Sequence, residues 1–266
     1  MARGRRGTGT RHGLFTGEEL TGTHGSSHGS SPGSSHGAAA RGQATARQHG
    51  ASRAIALFGG TFDPVHAGHI TVAQAVQRRF HLDAVYFVPS SRPPHKPKAT
   101  LAPFIHRYAM VSLACADHSN FIPSLVEAPD GATPHINYTV DTVRRFKREH
   151  RDDHVYFILG ADQFLEIPTW HNYEQLLDSC DFIIASRPGF RLDALKLVIP
   201  PEKLSRVGSS DGNVIALIKS RVHLLSTVTS HVSSTEVRQR LERHQSVHGL
   251  VPAKVEEYIL GQALYR

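Results

Sequence analysis

Cysteine is nearly missing from this chain: Cys115 and Cys180 stand far apart, in no metal-ligand or redox spacing, which excludes a disulfide framework and a zinc ribbon. Reduced thiols in a cytoplasmic setting are expected. Long apolar runs are missing as well. Nothing approaches the roughly 18 consecutive apolar residues of a membrane span, and the first residues lack the apolar region of a secretory signal. The protein is therefore expected to be neither membrane-bound nor exported. Two phosphate-binding patterns, GxxxxGK[ST] and GxGxxG, are also missing, which argues against P-loop hydrolysis and nicotinamide-dependent hydride transfer.

Acidic residues are in deficit, 23 against 30 Lys and Arg, for a formal charge of +7. That excess would suggest a nucleic-acid partner if it lay on the folded part. It does not: residues 1 to 50 hold six arginines (Arg3, Arg5, Arg6, Arg11, Arg41, Arg47) against Glu18 and Glu19, a net +4, leaving +3 for the rest. The same stretch has 12 glycines, 6 serines and few large apolar side chains, so it cannot bury enough surface to offset its ordering entropy. Residues 1–52 are expected to be a disordered tail rich in Gly, Ser, His and Arg. A dispensable extension is preferred over a transit peptide or a histidine-rich metal tract, and no nucleic-acid partner is expected.

From residue 53 to 266 the pattern is that of one domain. "AIALFGG" (54–60) reads as a buried strand, "HITVAQAVQRRF" (69–80) as an amphipathic helix and "DAVYFVP" (83–89) as a second strand. A helix around 103–117, an apolar stretch near 121–126 and a helix at 138–150 follow. Next come a strand at 154–160, a helix at 170–180, a strand closed by a turn over 181–189 and a last strand at 222–226. Helices at about 233–243 and 252–261 close the chain. Strands alternating with helices imply an α/β fold with a doubly wound, mostly parallel sheet and C-terminal helices.

Ligands of such sheets bind at the carboxyl ends of the strands. "GGTFDPVHAGHI" (59–70) lies at such an end. Gly59 and Gly60 let main-chain N–H groups approach a ligand, and the following helix turns its positive end to the same place. A phosphate is the expected guest. With a helix starting near Val65, His66 and His69 share a face of its first turn and both imidazoles reach that phosphate. Metal ligation is the lesser reading, since a closed zinc site takes three or four ligands and hydrolytic zincins space two histidines at i, i+4 around a glutamate.

The whole string resembles the (H/T)xGH signature of nucleotidylyltransferases, and in its full form that of nicotinate-nucleotide adenylyltransferases. "VPSSRPPHKP" (88–97), "NYTVDTVRRF" (137–146), "ILGADQFLEIPTWHNYEQLL" (158–177), "ASRPGF" (185–190), "VSSTEVRQRL" (232–241) and "LVPAKVEEYIL" (250–260) resemble the family's other blocks in the same order. The resemblance covers roughly residues 54 to 262 and implies a Rossmann-like nucleotidylyltransferase fold. It also implies transfer of the adenylyl group of ATP to nicotinate mononucleotide, giving deamido-NAD and pyrophosphate in NAD biosynthesis.

The residues themselves suit such roles. "VSSTEVR" is a capping-box pattern, Ser233 followed three residues later by Glu236, and Arg238 lies one turn inside the helix it starts. Side chains lean back toward a helix's N-terminus, so Arg238 can join the serines around a phosphate. The resemblance implies that Ser233, Ser234 and Arg238 hold the β- and γ-phosphates of ATP. His66 and His69 are the candidate donors near the α-phosphate, with Gly59, Gly60, Thr61 and Phe62 forming the turn before them. Asp63 is read as shaping that loop. His95 and Lys96, on a proline-flanked loop, suit a phosphate, though a solvated lysine reads equally well. Thr139, at a helix start, offers a hydroxyl and N–H groups to the nicotinate carboxylate, with Tyr138 beside it. Trp170, the lone tryptophan, is by resemblance a stacking partner for the pyridine ring. The resemblance also implies that Gly160, Asp162 and Arg187 line the adenosine side. Mg²⁺ is expected bound through phosphate oxygens and water, with no protein metal site. A homo-oligomer is left open.

One region departs from the family. The usual Glu, then Arg, then Gly and "SYTxDT" is replaced here by "EAPDGATPHINYTVDT" (127–142), longer, without the arginine and with Asn137 for the serine. A nicotinamide-accepting or dual-specific adenylyltransferase is the nearby alternative. Pantetheine-phosphate adenylyltransferases usually have threonine for the first histidine. A catalytically silent nucleotide- or RNA-binding module is the reading from another class, and intact His66, His69 and Arg238 argue against it. Because residues 1 to 50 contain neither core nor motif, a chain starting at Ser52 should fold and keep full adenylyltransferase turnover. Loss of turnover with the fold intact, judged by circular dichroism, would place part of the site in the tail.

Overall fold

The computed structural model describes residues 52–91, 101–129, 137–226 and 232–266. β1 (Ala54–Gly60) is followed by α1 (Ala67–Phe80), β2 (Ala84–Pro89), α2 (Phe104–Cys115) and β3 (Phe121–Pro123). The chain then returns through α3 (Thr139–Glu149) to β4 (His154–Gly160). After β4 come α4 (Ala161–Leu165), a 3₁₀ turn at Ile167–Thr169 and α5 (Tyr173–Leu177), which lead to β5 (Asp181–Ala185). α6 (Leu192–Lys196), β6 (Val214–Ala216), β7 (Arg221–Leu225), α7 (Ser234–Glu242) and α8 (Ala253–Gly261) complete it.

The sheet order is β3-β2-β1-β4-β5-β7-β6, with every neighbouring pair parallel except β6 and β7. Period-two alternation sends Ala56 and Phe58 of β1 into one core layer and Ile55 and Leu57 into the other. The first layer is closed by Val76 of α1, Val111 of α2, Val237 of α7 and Val255 of α8; the second by Val143 and Phe146 of α3 and Leu176 of α5. The expected doubly wound sheet is therefore present. Its chain order reverses between β1 and β4, so the crevice for a ligand opens at their carboxyl ends, where Gly60 and Gly160 lie.

Two expectations change in detail. The helix expected at 170–180 is only Tyr173–Leu177, because Pro168 starts a 3₁₀ turn and Asn172 takes a left-handed φ of 51° that interrupts any longer helix. The stretch near 121–126 pairs only over Phe121–Pro123, since Pro123 has no N–H to continue the ladder. The strand closed by a turn, expected over 181–189, is present as Asp181–Ala185 with a turn at Pro188 and Gly189. α4, α6 and the antiparallel edge strand β6 were not foreseen.

Candidate active site

The site is built on the exit from β1. An added Cβ at Gly60 would sit 3.0 Å from the Phe62 ring, so any side chain there would press the ring out of its seat and glycine suits the close approach. Phe62 itself has a left-handed φ of 48° and a buried side chain, packed edge-on against Phe58 and His69 at ring separations of 5.7 and 4.9 Å. The Phe62 side chain therefore backs His69 from within the core.

His66 is the N-cap of α1 and His69 its third residue. Their rings lie 3.7 Å apart at 30°, as expected for residues sharing the first turn. The main-chain N–H of His66 donates to Nδ1 of His69 at 3.2 Å. That bond makes Nδ1 the acceptor and leaves the proton of a neutral ring on Nε2. Burial lowers the His66 pKa to about 4, and burial together with the neighbouring imidazole lowers that of His69 well below its ordinary value. Near neutrality both are uncharged hydrogen-bond donors.

Both shifts reduce stability in acid. A folded-state pKa below the unfolded one means that the unfolded chain binds more protons between them, so stability present above about pH 6.5 is lost as pH falls toward 4. For His66 the loss between pH 7 and pH 5 should be on the order of 2 kcal/mol. Urea unfolding at the two pH values measures it, and the His66→Asn variant should show a distinctly smaller difference; an equal difference would mean that His66 is not the titrating group.

The C-terminal block meets this loop. Ser233 caps α7 by accepting the Glu236 N–H at 3.1 Å, which is half of the expected capping box; the Glu236 carboxylate turns instead to Arg240 at 3.2 Å. Ser234 Oγ donates to the Pro64 carbonyl at 2.9 Å, and Arg238 Nη1 donates to the Asp63 carbonyl at 2.6 Å. The Ala67 N–H donates to the Leu250 carbonyl at 2.8 Å. The first turns of α1 and α7 are thus tied to the same loop, with the positive ends of both helices there.

A cavity of about 230 Å³ opens beside β1 and β4, lined by Gly59, Gly60, Thr61, Tyr138, Thr139 and Trp170 among others. Tyr138 caps α3, so Thr139 is its first residue, and the Tyr138 ring stacks on His171 at 4.0 Å. Trp170 is half-buried. A second hollow of about 240 Å³ is lined by Gly160, Asp162 and Arg187 with Val72 of α1. The residues expected on the mononucleotide and adenosine sides therefore fall into two separate groups. His95 and Lys96 lie outside the described residues, as does the center of the aberrant 127–142 segment.

Four residues at the site were not foreseen as partners. Glu127 lines the first cavity, buried, and accepts the Thr142 hydroxyl at 2.7 Å; burial raises its pKa. His171 lines the same cavity. Arg107 of α2, only 1% exposed, donates to the carbonyls of Ala102, Thr61, Ser90 and Ser91 at 2.7–3.3 Å. Asp63, also foreseen only as a loop residue, accepts the Ala102 N–H and the hydroxyl of the fourth, Tyr265. Among the described residues no group of three His, Cys, Asp or Glu could hold a metal ion, and no helix is long and apolar enough to cross a membrane.

Comparison with known proteins agrees with this geometry. The family model described as cytidylyltransferase-like matches residues 57–240. A probable nicotinate-nucleotide adenylyltransferase of Moorella thermoacetica is 40% identical over 213 residues, covering 80% of this chain and 91% of that protein. One of the same name from Geobacter sulfurreducens is 38% identical over 220 residues, with 79% and 96% covered. The nicotinic acid mononucleotide adenylyltransferase of Plasmodium falciparum, solved with NaAD, shares the fold with a TM-score of 0.60 at 20% identity, covering 80% of this chain and 97% of that one. Through its matched domain and these relatives, the chain belongs to the cytidylyltransferase-like proteins and, among them, to the nicotinate-nucleotide adenylyltransferase family.

Proposed function

We propose that the protein joins ATP, taken as its Mg²⁺ complex, to nicotinate mononucleotide, releasing pyrophosphate and forming deamido-NAD. The observation that carries this reading is the fastening of α7 to the His66–His69 loop through Ser234 and Arg238. Two adjacent neutral imidazoles, on the loop to which Ser234 and Arg238 of α7 are bonded, support it, as a donor set suited to a polyphosphate. An oxygen of the mononucleotide phosphate attacks the α-phosphorus; the bond from that phosphorus to the β-bridging oxygen breaks, and pyrophosphate leaves with the electron pair. No covalent enzyme intermediate is required, so the protein's work is alignment and charge stabilisation. His66 and His69 donate to the transferring phosphoryl group, while Arg238, Ser233 and Ser234 hold the β- and γ-phosphates. Mg²⁺ would be held by phosphate oxygens and water and would supply neutralisation of phosphate charge. Gly160, Asp162 and Arg187 take the adenosine.

The first cavity takes the mononucleotide, with Trp170 against the pyridine ring and Thr139 and Tyr138 at its carboxylate. A carboxylate accepts charge-assisted bonds from all of these N–H and O–H donors, whereas the amide of nicotinamide turns its own NH₂ toward some of them. One such mismatch costs about tenfold to a hundredfold, so kcat/KM should favour nicotinate mononucleotide by at least roughly tenfold. Pyrophosphate release with ATP, Mg²⁺ and either mononucleotide tests both levels. Release with neither would end the adenylyltransferase reading, and equal kcat/KM would end the nicotinate preference alone.

A further inference from the structure

We infer that Tyr265 is a positioning residue for the reacting centre, its hydroxyl keeping the Asp63 carboxylate from closing its long ion pair with Arg238 into a hydrogen bond. The inference rests on the adenylyltransferase reading for its kinetic consequence, though not for its structural one. Beyond α8 the chain reverses: Ala263 and Tyr265 have φ values of 50° and 62°, in the left-handed region, and the Ala263 and Leu264 N–H groups donate back to Leu260 and Ile259. L side chains disfavour that region, so tertiary contacts must hold it. Leu264 and Tyr265 pack on the first core layer, and the Tyr265 hydroxyl reaches Asp63 Oδ1 at 2.7 Å.

Asp63 is 2% exposed and sparsely paired. Oδ1 accepts from Tyr265 and, at 3.2 Å, from the Ala102 N–H; Oδ2 is buried with no hydrogen-bond partner among the described residues. Arg238 Nη1 lies 4.0 Å from that Oδ2 while donating to the Asp63 carbonyl. A buried carboxylate stripped of a donor turns to the nearest cation. Here that is Arg238, the residue assigned to the leaving phosphates. Tyr265, by holding Oδ1, fixes the carboxylate so that Oδ2 stays in a long 4.0 Å ion-pair contact with Arg238 and does not close to a hydrogen bond, which leaves the remaining guanidinium donors to a ligand. Burial, with the adjacent Asp63, raises the Tyr265 pKa, so the phenol keeps its proton and stays a donor.

The test is Tyr265→Phe, which keeps the ring in its apolar seat and removes only the hydroxyl. kcat should fall about tenfold, the loss of one hydrogen bond to a charged group, with KM for the mononucleotide changed less than about twofold. In an Asp63→Asn background the same substitution should change kcat less than about twofold, because no carboxylate remains to capture Arg238. A fall of equal size in both backgrounds, or a lower Tm with wild-type kcat, would overturn the inference. Amide exchange of residues 61–70 gives a readout without catalysis: it should quicken in the Phe variant relative to the rest of the domain. Unchanged exchange there overturns the latch even if the wild-type protein made no dinucleotide, an outcome that by itself would count only against the proposed reaction.

Discussion

Replacing His69 with alanine should lower kcat by roughly a hundredfold or more, with a smaller change in KM for ATP. The ring is neutral and its Nδ1 is engaged by the His66 N–H, so what the side chain offers a ligand is the Nε2 proton. A donor aimed at charge that develops on the transferring group matters most in the transition state, which is why kcat bears the loss. The same ring also fills space between Phe58, Phe62 and His66, so alanine will lower the Tm. The two effects separate: lost folding reduces the active fraction and leaves turnover per folded molecule intact. His69→Asn, with an amide donor of smaller reach, should recover part of the stability and little of the rate. Near-wild-type kcat for the alanine variant, normalised to folded protein, would refute the role given to His69.

Much of this centre was legible because local sequence rules coincide with the chemistry. Two glycines ending an apolar run, then two histidines three apart, give a strand, a helix N-terminus and a shared face, and Ala54–Gly60 followed by a helix capped by His66 is what forms. Ser233 signalled the start of α7 for the same reason. What stayed hidden depends on distant segments meeting. Arg107 stands in "FIHRYAMVSLAC", where it reads as the polar side of a helix, and it is buried because carbonyls from three segments converge on it. Tyr265 gains its partner 202 positions away in the chain. β6 is three residues long and flanked by polar turns, too short for a period to register. The 161–177 stretch has apolar residues at helical spacing throughout, yet Pro168 and the left-handed Asn172 divide it.

Arg107→Met should destabilise the protein by about 3–5 kcal/mol while barely altering the volume it fills. The guanidinium is almost fully enclosed and has no ion pair within 4 Å among the described residues; four main-chain carbonyls hold it, with its ring-facing side over Phe104 at 5.6 Å. Burial accordingly lowers its pKa, opposed by the charges of Asp63 and Glu127 nearby. Removing the donor leaves the carbonyls of Thr61, Ser90, Ser91 and Ala102 facing an apolar thioether, and buried carbonyls without donors are costly individually. Those carbonyls belong to the turn after β1, the end of β2 and the approach to α2, so the damage falls on the walls of the cavity beside β1 and β4, which Thr61 and Ser90 both line. Lysine cannot repair it: a single ammonium on a flexible stem reaches fewer of four carbonyls than a planar fork does, and Arg107→Lys should recover less than half of the loss. Urea unfolding of the three proteins at pH 7 decides the matter. A methionine variant within about 0.5 kcal/mol of wild type would mean that the carbonyls find water instead, and that α2, rather than its arginine, holds the loops over the site.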